Sequence, residues 1–463
     1  MIRLKQHFSL IGLFLVLFLF AGLSLAQDST GVLTLNDCIN IALEKNSSLR
    51  VSKYSNEAAA KDVLGSYSGI LPSISASASK GIGVTGPFED VREVTVGTDS
   101  VTGAAISRKL TIVSDRTSIN SNSLGLQVNQ PIFDGGIWWN RIRRANANKK
   151  SAEYGLLGKQ NDVILEVEQA YFNLNKQIKL LEVYQIAVSR SQDQLDRTEK
   201  MYELGATAQL DVFQARVNLG NDRISMLQQQ NTVDQAKKNL NLVMGQDPFT
   251  SLKISSEINL EKNLPEAREL IQTAFENQPG IKQNEADIKS SSLSVSMAKG
   301  QYYPSLYGFA NYRRSNETFD KVYSKFDQNY NVSYGVSLSL NIFNGFSDYV
   351  SIQKAKIAQK QSKENFEEYK RNLASEIEQY YANYKSYLDI IEINKQNLDA
   401  AKEEMRLAEE RYQIGAGTAL EVREAQVNLT RAEETLIAAQ FNARIVLAQL
   451  DSGLGLIYKK YQE

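Results

Sequence analysis

Apolar residues in two stretches of this chain recur at steps of three, four or seven. The first set is Val167, Tyr171, Leu174, Ile178, Leu181, Val188, Leu195 and Tyr202. The second lies 210 positions on: Ile377, Tyr381, Tyr384, Leu388, Ile391, Leu398, Met405 and Tyr412. This is the spacing of a coiled-coil seam. No proline falls between about Ile137 and Glu203 or between Phe346 and Gln413. Each stretch is therefore expected as one helix of about 67 residues, about 100 Å long at ~1.5 Å per residue. Gln185, Gln192, Lys395 and Lys402 interrupt the seam, as expected where one side of a helix wall faces water.

The repetition extends past the helices. Met201–Leu219, MYELGATAQLDVFQARVNL, returns as Arg411–Leu429, RYQIGAGTALEVREAQVNL. Each copy predicts a long helix that ends at a Gly turn and a second helix that runs back, Gln209 to about Met244 and Thr418 to about Leu450. Upstream, a helix from Thr34 to about Leu71, stopped by Pro72, matches the second half at an offset of 232 through Ala42/Ala274, Leu49/Ile281 and Pro72/Pro304. The chain thus divides into a first repeat (27–250), a connecting segment (251–264), a second repeat (265–452) and a short tail (453–463).

After each of these prolines the period changes to two. Strands are expected at about 73–82 and 123–133 in the first repeat and 305–312 and 333–343 in the second. Such alternation suits a half-buried soluble sheet or a lipid-facing barrel wall with a wet lumen. Three features favour the barrel. Each half supplies only one hairpin, too little for a sandwich. The segments between strands, 83–122 and 313–332, are polar and of unequal length, as external loops can be. Trp138 and Trp139, and at the matching place Phe346 and Tyr349, suit a bilayer interface, with basic Arg141, Arg143, Arg144, Lys149 and Lys150 following.

Residues 1–26 read as a signal peptide, with Arg3 and Lys5 ahead of the apolar run Leu10–Phe20 and Ser24-Leu25-Ala26 at a cleavage site. No later run reaches the roughly 18 apolar residues of a spanning helix. The 52 basic residues, two of them in this leader, against 53 acidic ones do not suggest a nucleic-acid binder. The only histidine, His7, lies in the leader, and the only cysteine, Cys38, has no partner for an internal disulfide. Without histidine the mature chain lacks the commonest general base and metal ligand, and no catalytic set or cofactor loop is present, so neither an enzyme nor a cofactor is expected.

Four strands cannot close a barrel, yet every backbone group in lipid must be paired. Copies must combine: two would give about eight strands with a filled interior, and three give twelve with a passage. The doubled order of helix, Pro, hairpin, Pro-Ile-Phe-Asp-Gly-Gly or Asn-Ile-Phe-Asn-Gly-Phe, long helix, Tyr-x-x-Gly turn and return helix resembles the TolC family of outer-membrane efflux proteins across essentially the whole mature chain. The resemblance implies a mainly α protein with a membrane β-barrel part. Its architecture would be a homotrimer with a 12-stranded barrel in outer-membrane lipid over a periplasmic α-helical barrel. It would act as a passive exit duct for an inner-membrane pump of RND or ABC type, docked through a periplasmic adaptor (membrane fusion protein).

By the same resemblance the adaptor meets the two Gly turns, at Tyr202, Leu204, Gly205 and Ala206 and at Tyr412, Ile414, Gly415 and Ala416. Glu421 and Glu424, with Asp211 matching Glu421, would form an acidic ring about the closed tip, and Tyr412 would hold the first return helix through Asp211. Gly417 departs from relatives that carry an arginine clamping the neighbouring subunit there, and Arg423 is the candidate to replace it. The competing readings are a type I protein-secretion duct, a secreted coiled-coil scaffold or adhesin, and a periplasmic metal-binding enzyme. The scaffold has no need of hairpins, and for the enzyme Glu421 and Glu424 would be only two ligands.

Overall fold

The computed structural model describes residues 32–255, 260 and 264–461. The expected leader and His7 lie outside them. The chain forms two compact units. One comprises 52–156 and 279–372, and the other comprises 157–278, 373–463 and the segment up to Val51.

The first of these units holds the sheet. Strands β1 (Ser73–Thr85), β4 (Thr117–Asp134), β5 (Ser305–Asn316) and β6 (Tyr330–Ser339) lie in the order β1-β4-β5-β6, all antiparallel. Pairing of β4 with β5 joins the repeats, and β1 and β6 are left as free edges. Cross-strand partners share a face, so the register Ala76↔Leu126↔Tyr312↔Val332 defines one row of an apolar side that also carries Ile74, Val128, Val336 and Leu338. Most of these side chains are exposed, Leu338 at 69%. The opposite face carries Ser75, Ser77, Ser79, Ser123, Gln127, Asn311, Ser333 and Ser337, with Ile119, Tyr307 and Phe309 among its large apolar members.

The stretch 83–122 is not the loop its polarity suggested. β1 runs on to Thr85, a second hairpin of β2 (Phe88–Thr98) and β3 (Ala105–Ser114) follows, and β4 begins at Thr117. Thr85 pairs with Thr117 and Phe88 with Ser114, so one ribbon continues past Gly86-Pro87 and Asp115-Arg116, with a register shift at Val96. Its turn is closed by Asp99, whose Oδ1 accepts the amides of Val101 (2.8 Å) and Thr102 (3.0 Å). A ribbon exposed on both faces is polar in composition, and β-branched Val91, Val94, Val96, Thr111 and Ile112 were the strand signal within it. In the second repeat the connection 317–329 includes a short helix, α7 (Phe319–Tyr323), and folds back over Arg314. That fully buried side chain donates to the carbonyls of Lys321, Ser324 and Lys325 at 2.7–3.0 Å.

The expected single helix from Thr34 to Leu71 is two helices, α1 (Leu35–Lys45) and α2 (Ser47–Ser66), followed by one 3-10 turn. Asn46 makes the break. Its Oδ1 accepts the amides of Ser48 (2.9 Å) and Leu49 (3.1 Å) and so caps α2, while its Nδ2 donates to the Val243 carbonyl at 2.8 Å. That carbonyl belongs to the end of the first return helix. Here Gly245, at φ +74°, lies so near the Lys45 carbonyl that a Cβ would sit 2.6 Å from it.

The second repeat builds the same joint. α5 (Ala267–Asn277) and α6 (Pro279–Gly300) are separated at Gln278, whose Nε2 donates to the Ser452 and Gly453 carbonyls at 3.3 Å. Gly455, at φ +71°, packs on the backbone of Asn277 and Gln278.

The long helices α3 (Ile137–Glu203) and α8 (Ser347–Gln413) and the return helices α4 (Gln209–Val243) and α9 (Ala419–Gly453) follow the expected bounds closely. Within each helical hairpin an apolar seam runs beside polar bonds such as Arg216 to Glu199 and Asn428 to Glu404, both at 3.0 Å. Leu195 packs with Val212, Ala215 and Leu219 between α3 and α4. Met405 and Tyr412 pack with Val422, Ala425 and Leu429 between α8 and α9.

Candidate functional site: the helical tip

The two Gly turns close alike. Gly205 (φ +72°) and Gly415 (φ +75°) take the left-handed conformation, with Ala206 N donating to the Met201 carbonyl and Ala416 N to the Arg411 carbonyl, both at 2.8 Å. These bonds satisfy helix-end carbonyls and leave Leu204 (85%) and Ile414 (80%) standing in solvent. The turns differ beneath this frame. Tyr412 is buried in the α8/α9 core, whereas Tyr202 is 43% exposed.

The acidic positions serve their own helices. Asp211 accepts from Thr207 Oγ1 (2.5 Å) and Ala208 N (3.2 Å), capping α4. Glu421 lies 3.6 Å from Arg411 Nε, and its amide is capped by Thr418 Oγ1 at 3.2 Å. Glu424 is exposed. Among the described residues no three His, Cys, Asp or Glu side chains converge on a possible metal position.

The expected Tyr412–Asp211 link is not made within the chain. The Tyr412 hydroxyl is buried without a hydrogen-bond partner, and Asp211 is occupied by Thr207 and Ala208. Its burial beside Val422 and Ala425 makes Tyr412 a core residue. Gly417 is fitted to its place, since a Cβ there would lie 3.0 Å from Arg411 Cβ and 3.1 Å from Glu421 Oε2.

Arg423 turns inward. Its guanidinium forks onto Asp222 of α4 at 2.7 and 2.9 Å, and Ser191 Oγ of α3 donates to the same carboxylate. Two further ion pairs join α9 to α3: Glu433 to Arg190 at 3.2 Å, and Arg444 to fully buried Glu168 at 3.6 Å. Tyr461 donates to Glu168 Oε1 at 2.5 Å, and Arg444 lies over the Phe172 ring at 4.6 Å. Burial pushes the Glu168 carboxyl above its ordinary value against the pull of Arg444 and Tyr461. On the same interface the Tyr184 phenol is pushed up to about 12, first by burial and then by Glu434.

Sequence reading missed these pairs because they have no spacing motif. The available signal was asymmetry between the repeats, since 210 positions away Arg423 faces Phe213, Asp222 faces Ala432 and Arg444 faces Asp234.

Two apolar stripes find no cover in the described chain. On α4, Leu210, Phe213, Val217, Ile224 and Leu227 are all exposed at heptad steps. On α8, Ile393 and Leu407 are exposed on one seven-residue register.

In the sheet-bearing unit, the Trp138 and Trp139 rings lie 4.3 Å apart and tilted by 40°, with Trp139, Phe346 and Tyr349 exposed and Trp138 half-buried. Trp138 N donates to Asp134 Oδ2 at 2.9 Å, which ties the start of α3 to the end of β4. No described helix is long and apolar enough to cross a membrane.

A doubled helical hairpin with Gly-turn tips, combined with a four-stranded sheet open at both edges, defines the class. The chain belongs to the outer membrane efflux protein family, whose model matches residues 38–246 and 270–456. A probable efflux pump outer membrane protein, TtgC of Pseudomonas putida, is 23% identical over 306 residues, covering 66% of this chain and 62% of its own. The chain therefore spans less than two thirds of that relative's length. The outer membrane protein TolC of Escherichia coli K12 is 24% identical over 357 residues, covering 74% of this chain and 71% of its own. In fold, the CmeC outer membrane channel of Campylobacter jejuni superposes with a TM-score of 0.77 over 92% of this chain and 88% of its own, at 18% identity.

Proposed function

We propose that this protein is the outer-membrane exit duct of a tripartite efflux system, passive in itself and supplied by an inner-membrane pump through a periplasmic adaptor. Three copies close a 12-stranded barrel in the outer-membrane lipid over a periplasmic tunnel of helices. The observation that carries this reading is the sheet, with two unpaired edges, one exposed apolar face and one hydroxyl-lined face. An unpaired edge in lipid costs several kcal/mol per orphaned backbone group, and pairing β6 of one copy with β1 of the next removes every edge. The uncovered stripes on α4 and α8 support the same closure, one docking on the other in the next copy around a threefold axis.

Trp138, Trp139, Phe346 and Tyr349 then mark a bilayer interface. At the tip, Tyr202, Leu204, Gly205, Ala206, Ile414, Gly415 and Ala416 form the adaptor's landing surface. The narrow end is gated where Asp211, Glu421, Glu424 and the packing residue Tyr412 are brought round the axis three times.

The test is extraction from outer membranes followed by mass measurement and planar-bilayer recording. A trimer that conducts ions supports the duct, and a water-soluble monomer without conductance rejects it. Glu421→Ala with Glu424→Ala is expected to weaken block by multivalent cations, and unchanged block would remove the acidic ring.

A further inference from the structure

We infer that the connection between β5 and β6, residues 317–329, is an anchor folded onto the outer wall of the barrel, and that its partner is the headgroup layer of the outer lipid leaflet. The inference rests on the duct reading and names what holds the barrel at its depth in the membrane.

Three observations carry it. The first is the face on which the segment lies. Two residues beyond the apolar row of Leu126 and Tyr312, the same face carries Ala78, Leu124, Arg314 and Tyr330, and two further on it carries Lys80, Asn122 and Asn316. Side chains of this face hold the segment. Arg314 donates to the carbonyls of Lys321, Ser324 and Lys325, and Asn122 Nδ2 donates to those of Asn316 (3.3 Å) and Glu317 (2.9 Å). The Phe326 ring lies 4.7 Å from the Arg314 guanidinium, and the Phe319 ring lies 5.9 Å from Lys80 Nζ. Helix α7 packs on β4 and β5, with Val322 fully buried. The segment therefore folds down over the apolar wall instead of standing out from the strand ends.

The second is what the segment shows outward. Phe319, Tyr323, Phe326 and Tyr330 are exposed, with the Phe319 and Tyr323 rings 4.5 Å apart and Tyr330 stacked on Tyr312 at 6.1 Å. Exposed Lys80, Lys321 and Lys325 are matched in number by exposed Glu317, Asp320 and Asp327. Charge is thus near balance around the rings, and it is the rings that choose the partner. Aromatic side chains among polar neighbours on an apolar wall suit the level at which lipid tails give way to headgroups.

The third is height. Asn122, beneath the segment, and Asp134, bonded to the Trp138 amide, are twelve residues apart on β4. At ~3.3 Å per residue and a tilt of ~40° they are separated by about 30 Å along the membrane normal. A bilayer's hydrocarbon core is about 30 Å thick. The segment and the Trp138–Trp139 pair therefore bracket one bilayer, and movement along the normal would carry one set of rings into hydrocarbon and the other into water.

The experiment uses the full-length chain in phosphatidylcholine vesicles, with Trp138 and Trp139 replaced by Phe and one tryptophan introduced. Phe319→Trp reports the segment, and Val101→Trp reports the turn of the β2–β3 ribbon. Tyr334→Trp reports the apolar wall level with Val128, midway between Asn122 and Asp134. Fluorescence quenching is compared between lipids brominated near the headgroup and lipids brominated near the chain ends. Phe319→Trp is expected to be quenched about twofold or more better by the shallow bromines, Tyr334→Trp better by the deep ones, and Val101→Trp by neither. Quenching of Phe319→Trp that is no stronger than that of Val101→Trp, or that is strongest with the deep bromines, overturns the anchor. An unquenched Tyr334→Trp overturns the barrel, and with it the duct reading, while Phe319→Trp still reports whether the segment meets lipid.

A second readout needs no substitution. Phe88 of the ribbon and Phe319 are 51% and 54% exposed in the chain. In vesicles, hydroxyl radicals made in water should oxidise Phe88 about threefold or more faster than Phe319, because the bilayer keeps water from the latter. Equal rates in the parent overturn the anchor even where a variant fails to fold.

Discussion

Two kinds of helix contact run side by side in the helical unit. Within a hairpin, α8 meets α9 through Met405, Tyr412, Val422, Ala425 and Leu429, and α3 meets α4 through Leu195, Val212 and Leu219. Between hairpins, the same α9 meets α3 and α4 through Arg423–Asp222, Arg190–Glu433 and Arg444–Glu168. Apolar packing is non-directional and loses free energy in proportion to exposed area, so it resists separation at every step of sliding. Charge pairs tolerate little displacement, and one buried as deeply as Arg444–Glu168 is costly to break by removing a partner. Each hairpin thus has its own apolar seam, while the contact between hairpins combines these charge pairs with the packing of Met201 of α3 on the α8/α9 cluster.

The largest effect should come from the deepest pair between hairpins. Arg444→Ala leaves Glu168 buried without a counter-charge and is expected to destabilise the fold by about 3–5 kcal/mol, measured by thermal unfolding at fixed protein concentration. The pH dependence has a definite sign. Burial raises the Glu168 pKa, so the folded state holds this proton more tightly than the unfolded chain. This group's contribution is therefore present in acid and is lost as pH rises through the raised value. In acid Glu168 is neutral in parent and variant alike, so the missing counter-charge matters less and the difference between Arg444→Ala and the parent should shrink. A gap that widens in acid would contradict the assignment.

Within a hairpin, Leu429→Ala opens a cavity beside Tyr412 and should cost about 2–5 kcal/mol with no dependence on salt. A strong salt dependence there would erase the distinction between the two contacts. At the joint of the first repeat, Asn46→Ala removes the cap on α2 and the bond to Val243, for an expected loss of about 1–2 kcal/mol in the same assay. The smallest effect belongs to the water-facing surface. Arg406 reaches Glu403 and Glu410 at 2.5 Å on one exposed helix face, and Arg406→Ala should leave the melting temperature unchanged. A clear drop would mean that a partner copy buries this face.

Much of the helical architecture was legible in the residues. Seven-residue periodicity and the absence of proline marked α3 and α8 to within a residue or two of their ends, because a helix this long is specified locally at every turn. The Gly turns at 205 and 415 were legible because a left-handed residue is needed to end a helix there. The breaks at Asn46 and Gln278 were not, since each depends on a return helix docking about 200 residues away in sequence. The β2–β3 hairpin was mistaken for a loop because composition reports contact with water, and a ribbon wetted on both faces looks like a loop by that measure.

At the tip the residue types were visible and their partners were not. Tyr412, Asp211 and Arg423 stood out from the repeat, yet their expected pairings required knowing which helix lies beside which. The sequence by itself determined the duplication, the period of each element and the positions of its turns, all set by interactions a few residues apart. Only the tertiary structure decided that Arg423 meets Asp222, that Arg444 meets Glu168 and that Tyr412 stays buried with its hydroxyl unpaired. Charge pairing acts through space over a few ångströms and leaves no period along the chain.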